Sequence, residues 1–350
     1  MNNELKSVVQ KYNVLVKIEE LGLDSAEDLL LKRPKDLQKL LRINEQASRD
    51  ILTTAAQQIY DFKAREMKTD TLLKPQTVTT GDATIDTLLN PGISLGNITE
   101  VVGESSSGKT QFALQLCLTV QLPLSEGGQE GSAVYIHNEG PFPSDRLDQL
   151  ANHNQPNNVQ EIKNNIHTIR VKDIYDQFRV LAYTLPAFVE SHVNQKRPVR
   201  LVVIDSISAV YRSDSTMQRY EKMKEICEVG TRLKKLAYKY NLAVVAVNQV
   251  ADVVVKNNSQ NIENIGNWMD FQLINQNGNQ MLGLYIQSLL KKPILGLAWS
   301  NSVNTRIRFA RSPMLEGTKT RRVMYIEFSP IAERLGCEVR IEQGGVISYS

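Results

Sequence analysis

The sequence predicts an α/β fold: a mainly parallel sheet with C-terminal antiparallel strands, preceded by a small all-helical domain. Three observations predict it. Residues 1–66 carry apolar residues at mixed three- and four-residue spacing, as short amphipathic helices do. From residue 81, short β-branched runs alternate with helical periods, which implies mainly parallel strands. After Lys291 the strand-like runs follow one another across turns, so antiparallel strands are expected at the end of the sheet.

Taken in chain order, Val14, Ile18, Leu21 and Leu23 lead into Leu29, Leu30, Leu37, Leu40, Leu41, Ile43, Ile51 and Leu52. Asp24-Ser25 reads as an N-cap before AEDLLL, and Arg33-Pro34 as a helix break and restart. These elements define a helical domain over 1–68. Residues 69–80, with Pro75 and several β-branched residues, read as a linker, and 81–350 as the core. In the core, Ile98–Val102, Ala133–Ile136, Leu201–Ile204 and Leu242–Val247 read as buried strands. Phe112–Val120 and Gln218–Tyr240 read as helices. Leu295–Trp299, Thr305–Ala310, Arg322–Phe328 and Cys337–Ile341 complete the set as strands.

Composition narrows the class. The 350 residues are 41% hydrophobic and 23% charged, which excludes a wholly disordered or collagen-like chain. Cys117, Cys227 and Cys337 are widely spaced and odd in number, which argues against a disulfide framework. The four histidines lack metal-ligand spacing, so no zinc site is expected. No run reaches about 18 apolar residues and the first residues lack an apolar core, so neither a membrane span nor a secretory signal is expected. The 41 basic and 38 acidic residues leave a net charge of +3, which by itself neither supports nor excludes nucleic acid.

The strongest local signal is Gly103-Glu104-Ser105-Ser106-Ser107-Gly108-Lys109-Thr110, which fits GxxxxGK[ST] without a mismatch. It follows a predicted strand and opens a predicted helix at Gln111, the context in which such a loop wraps phosphates. The glycines let successive N–H groups point at phosphate oxygens, and the helix N-terminus adds the positive end of its dipole. Lys109 is then placed to reach the β- and γ-phosphates and Thr110 to hold Mg²⁺. Leu201-Val202-Val203-Ile204 ends in Asp205, so a buried strand delivers a carboxylate to the same edge as a second metal ligand. Glu139, after the strand 133–136, reads equally as a base that polarises a water and as a solvated turn residue. Asn248-Gln249, at the end of 242–247, is either a γ-phosphate sensor or an ordinary loop entry.

Together these motifs resemble the RecA-type recombinase core. They are more closely similar to the eukaryotic strand-exchange recombinases and their paralogues. The likeness is carried by Thr79-Thr80-Gly81, Ile98-Thr99-Glu100, GESSSGKTQ at 103–111, Tyr135-Ile136 with Glu139, Arg146-Leu147, LVVIDS at 201–206, Val247-Asn248-Gln249-Val250 and Gly344-Gly345-Val346. The run 105–123, Gly127-Gly128 and Phe142-Pro143 resemble one subgroup, that of the third X-ray-repair cross-complementing paralogue and its yeast radiation-sensitivity counterpart.

The resemblance implies ATP and Mg²⁺ as cofactors, slow hydrolysis, Glu139 and Gln249 in catalysis beside Lys109, and Arg146 next to the adenine. It further implies DNA binding, single-stranded or branched, in nuclear recombinational repair. The partners it implies are the strand-exchange recombinase and a second paralogue in a heteromer. An ATP-clamped scaffold and a RecA-fold helicase are the rival expectations. The sequence departs from the family where a glycine-bearing helical turn is expected. Here the stretch is Leu41 to Ala47, without glycine, which points to protein contact there rather than DNA contact.

Three further segments bear on DNA. The loop Tyr211–Tyr220 holds Arg212 and Arg219 between aromatics, suited either to stacking a strand or to solvation. Residues 251–290 hold 13 Asn or Gln and a net charge of −2, the wrong sign for tracking phosphates; they read as an insertion, disordered or partner-binding. Lys291–Met324 carries eight basic residues against Glu316. Arg306, Arg308 and Arg311 within it are expected to form a DNA-facing strip or a guarded strand edge.

Overall fold

The computed structural model describes residues 3–59, 76–214, 217–251, 291–312 and 320–349, together with the backbone of 272–273. The chain divides into two units, Met1–Lys74 and Pro75–Ser350.

The first unit is helical: α1 (Asn3–Lys11), α2 (Leu15–Glu20), α3 (Ala26–Leu30), α4 (Pro34–Leu41) and α5 (Glu45–Ile59). Its core is Leu5, Val9, Val14, Ile18, Leu23, Ala26, Leu29, Leu37, Leu41, Ile51 and Ala55. Both expected boundaries are present. Ser25 caps α3 through a reciprocal box: the Asp28 N–H donates to Ser25 Oγ (3.0 Å) and the Ser25 N–H donates to Asp28 Oδ2 (3.1 Å). Pro34 takes the first position of α4, where its missing N–H costs nothing. Replacing Ser25 by alanine is expected to lower the stability of this unit by about 1 kcal/mol, read from its urea-unfolding midpoint.

The second unit runs β1 (Thr77–Val78), α6 (Ala83–Leu89), β2 (Ile93–Ser94), β3 (Ile98–Gly103), α7 (Lys109–Thr119), β4 (Ser132–His137), α8 (Ser144–Asn154), α9 (Val159–Asn164), β5 (Ile166–Arg170), α10 (Ile174–Arg179), α11 (Leu185–Ser191), β6 (Val199–Asp205), α12 (Ala209–Ser213), α13 (Arg219–Tyr240) and β7 (Ala243–Ala251). It then continues β8 (Gln272–Leu273), β9 (Lys292–Pro293), α14 (Gly296–Ser300), β10 (Thr305–Arg311), β11 (Arg322–Phe328), β12 (Leu335–Glu342) and β13 (Gly345–Ser348). The main sheet has the order β13-β12-β11-β10-β3-β7-β6-β4-β5. From β10 to β5 the neighbours are parallel, and from β10 to β13 they are antiparallel.

The strands bury both faces because their residues alternate between two cores. Val101, Ala133, Tyr135, Leu201, Val203, Ala243 and Val245 pack with α6, α7 and α8. Ile98, Val134, Ile136, Val202, Ile204, Val244 and Ala246 pack with α10 to α13 on the other face.

Four expectations are corrected. Leu295–Trp299 was expected as a strand and instead includes most of the short helix α14, whose Trp299 is buried. The segment packs closely on α13: a Cβ on Gly230 would collide with Ser302 and touch the Trp299 ring. The expected linker 69–80 overlaps the second unit, because Thr77–Val78 pairs antiparallel with Ile93–Ser94. The strand β5 was missed, since His167, Thr168 and Arg170 break the apolar pattern on a sheet edge. Leu21 and Leu40, counted with the helical apolar set, are more than 40% exposed. The expected insertion 251–290 lies outside the described residues, except that β7 reaches Ala251 and Gln272–Leu273 pairs parallel with Leu335–Gly336.

Candidate nucleotide and catalytic site

Parallel pairing assembles the site. Gly103 of β3 is in register with Gln249 of β7, Val247 of β7 with Asp205 of β6, and Asp205 with His137 of β4. Four strand tips from residues 103 to 249 therefore meet at the carboxyl edge of the sheet, where ligands of such sheets lie.

The phosphate loop Gly103–Thr110 joins β3 to α7. A Cβ on Gly103 would run into the Phe309 carbonyl of β10, so this position demands glycine. Gly108 caps α7 with φ of 119°, and Ser106 adopts φ of 61°. Lys109 is 7% exposed, and its ammonium donates to the Glu104 carbonyl at 2.6 Å. Burial lowers its pKa to about 8, against the opposing pull of Asp205, Glu139 and Glu104. The Glu104 carboxylate sits 2.6 Å from Lys291 and 3.7 Å from Arg311.

Thr110 Oγ1 donates to Asp205 Oδ2 at 2.7 Å, and the Tyr135 hydroxyl donates to the same oxygen at 2.7 Å. Burial, and then the Asp205 charge, push the Tyr135 phenol up, so it stays a donor. A hydroxyl and a carboxylate side by side are hard oxygen donors that suit Mg²⁺ shared with substrate phosphates. Ser107 Oγ is buried in the loop without a protein partner, a polar atom left over in the cradle.

A cavity of about 680 Å³ opens beside the loop, lined by Gly108, Lys109, Gln111, Arg146, Arg322 and Gln343 among others. Arg146 is held by Gln111 Oε1 (2.6 Å) and the Glu342 carbonyl (2.6 Å), and burial lowers its pKa.

Glu139 stands at the tip of β4. Its Oε1 accepts from Arg212 (2.6 Å), and Gln249 Nε2 lies 2.8 Å from both carboxylate oxygens. Asn248, one residue earlier on β7, faces the opposite way and donates to buried Glu100 at 2.7 Å.

The expected residues thus gather at one edge: the loop 103–111, Asp205, Glu139, Gln249, Arg146 and Arg212. Arg219 lies apart as an exposed residue opening α13. The DNA-facing strip is corrected. Arg306 and Arg308 are 6% and 3% exposed. Arg306 pairs with Glu100 (2.6 Å) and Glu327 (3.3 Å), and Arg308 with Glu327 (2.8 Å). Arg311 turns to Glu104 of the phosphate loop. Arg306 and Arg308 are spent inside the protein on a strand between β11 and β3, so neither faces a phosphate or guards an edge, whereas Arg311 stays partly exposed.

Three site residues were missed. Arg322 Nε donates to the Ser106 carbonyl at 3.3 Å, Lys291 pairs with Glu104, and Tyr135 holds Asp205. The basic run 291–324 was a visible signal for Arg322 and Lys291, though not for their target. Tyr135 stands in the strand that carries the resemblance, but nothing in the sequence gives it a role at the site.

The sheet order, the loop between β3 and α7, and the carboxylate at the tip of β6 define a RecA-like P-loop core. The Rad51 family profile matches residues 73–267. A DNA repair protein XRCC3 homolog of Arabidopsis thaliana is 32% identical over 299 residues, 77% of this chain and 92% of the relative. DNA repair protein rhp57 of Schizosaccharomyces pombe is 32% identical over 296 residues, 78% of this chain and 79% of the relative. DNA repair protein RAD51 of Saccharomyces cerevisiae is 29% identical over 339 residues, 94% of this chain and 74% of the relative. The chain belongs to the Rad51 family, and it is similar to the XRCC3- and Rad57-type paralogues within it.

Proposed function

We propose that this chain binds ATP with Mg²⁺ and hydrolyses it slowly as a recombinase paralogue in nuclear repair of DNA double-strand breaks. In this reading it binds single-stranded or branched DNA, pairs with another paralogue, and assists the strand-exchange recombinase. The observation that carries the ATPase reading is the convergence of Lys109, Thr110, Asp205, Glu139 and Gln249 on one sheet edge. Relatives named for DNA repair support the biological setting.

Lys109 and the loop N–H groups bind and orient the triphosphate. Thr110 and Asp205 would hold Mg²⁺, which neutralises phosphate charge when bound. Glu139 accepts a proton from the attacking water as it adds to the γ-phosphorus, releasing ADP and phosphate. Gln249 registers the loss of the γ-phosphate on β7, at the entry to residues 252–290. Arg146 borders the adenosine end of the cavity. With Arg306 and Arg308 buried, DNA contact is assigned to Arg212, Arg219 and the exposed ring of Tyr220.

The engagement of Glu139 by Arg212 and Gln249 favours a second reading, an ATP-clamped scaffold with negligible turnover. Glu139→Gln distinguishes them. It is expected to leave ATP affinity within about twofold and to lower phosphate release by about 100-fold. Equal release from both proteins supports the scaffold.

A further inference from the structure

The candidate base is gripped from two sides. Arg212 belongs to α12, which follows the tip of β6, and Gln249 belongs to β7. The two are tied together: the Arg212 N–H donates to the Ser208 carbonyl (3.2 Å), and the Gln249 N–H donates to Ser208 Oγ (3.4 Å). Lys222 fastens the far end of the same loop, donating to the Tyr211 and Asp214 carbonyls at 3.2 and 2.5 Å. Arg212 instead reaches across to another strand tip and makes a single-nitrogen contact to Glu139 Oε1. Both side chains remain more than 40% exposed, so a solute can reach the pair.

A carboxylate that accepts from a guanidinium is held in one orientation. It also has one fewer lone pair for the water. A phosphodiester competes well for the same guanidinium, because arginine matches phosphate geometry as it does carboxylate. We propose that Arg212 is a positioning residue that restrains Glu139, and that a nucleic-acid backbone phosphate is the ligand that draws it away. This inference rests on the reading of Glu139 as the base. It couples DNA to hydrolysis through one side-chain exchange: the phosphate takes the guanidinium, and Glu139 turns to the water. Arg219 and Tyr220, exposed at the start of α13, offer the strand a second cation and a stacking face.

The test measures phosphate release by the purified full chain with Mg·ATP, with and without a poly-dT oligonucleotide. Arg212→Gln is expected to raise the DNA-free kcat about tenfold, leave KM for ATP unchanged, and bring the DNA stimulation ratio near one. Arg212→Lys keeps a cation within reach of Oε1 and is expected to retain the low DNA-free rate. A DNA-free kcat for Arg212→Gln that is unchanged or lower overturns the proposal. So does a DNA stimulation ratio that survives the substitution. Equal rates for the wild type and Glu139→Gln remove the base reading and this inference with it. A Glu139-dependent rate that Arg212→Gln fails to raise removes this inference alone.

Discussion

Lys109→Ala is expected to lower the affinity for Mg·ATP by about 100-fold or more, with phosphate release falling to background. Lys109 is 7% exposed, and its Nζ sits against the loop carbonyl of Glu104 in a pocket shielded from bulk water. Losing one charge of a desolvated pair costs about 2–5 kcal/mol, and about 1.4 kcal/mol is tenfold in affinity. Alanine keeps the helix N-terminus intact, since α7 is capped by the Gly108 backbone rather than by this side chain. Equilibrium binding of a fluorescent ATP analogue reads the effect directly. Affinity within threefold of the wild type would place the triphosphate elsewhere. The pH dependence has a definite sign. Burial lowers the Lys109 pKa to about 8, whereas a bound triphosphate favours the ammonium form. Wild-type affinity therefore falls as pH rises through about 8, and the Lys109→Ala protein lacks that limb.

Arg306→Ala is expected to destabilise the second unit by about 3–5 kcal/mol, because it strands the Glu100 carboxylate in the interior. Glu100 is wholly buried between β10 and β7, accepting from Arg306 Nε at 2.6 Å and from Asn248 Nδ2 at 2.7 Å. The guanidinium also reaches Ser300 and lies 4.8 Å from the Phe328 ring centroid, so alanine removes packing as well as charge. Urea unfolding followed by tryptophan fluorescence measures the loss, with Trp299 of α14 as a probe inside this unit. The pair Glu100→Gln with Arg306→Met should recover most of the stability, since it removes both charges together. A near-neutral Arg306→Ala, accompanied by a reduced salt dependence of DNA binding, would restore the surface strip and refute the buried pair.

The helical character of the first unit, the helices α7 and α13, and the central strands were legible because their causes are local. Ser25 and Pro34 marked the ends of α3 and α4 through capping and ring geometry, which involve three or four consecutive residues. Buried central strands such as β6 read as continuous apolar runs, whereas the edge strand β5 does not. In the site, the phosphate loop was legible for the same reason: its glycines, lysine and threonine act through the conformation of eight adjoining residues.

Arg306 and Arg308 show where that legibility stops. Their i, i+2 spacing on β10 declares a shared face, and the sequence alone permits a solvated one. Their burial comes from Glu100 of β3 and Glu327 of β11, acids about 206 and 20 residues away that reach them only through strand pairing. Glu139 is parallel to this case. The sequence marked it as a base or a turn residue, while its grip by Arg212 and Gln249 spans 73 and 110 residues. By itself the sequence determined the phosphate loop, the strand carrying Asp205, the helical first unit and the kinship with RecA-type cores. The tertiary structure alone decided which charges are spent inside and which side chains restrain the base. The physical reason is that a charge's role depends on its partner and its dielectric surroundings, and those are set by long-range strand order rather than by neighbouring residues.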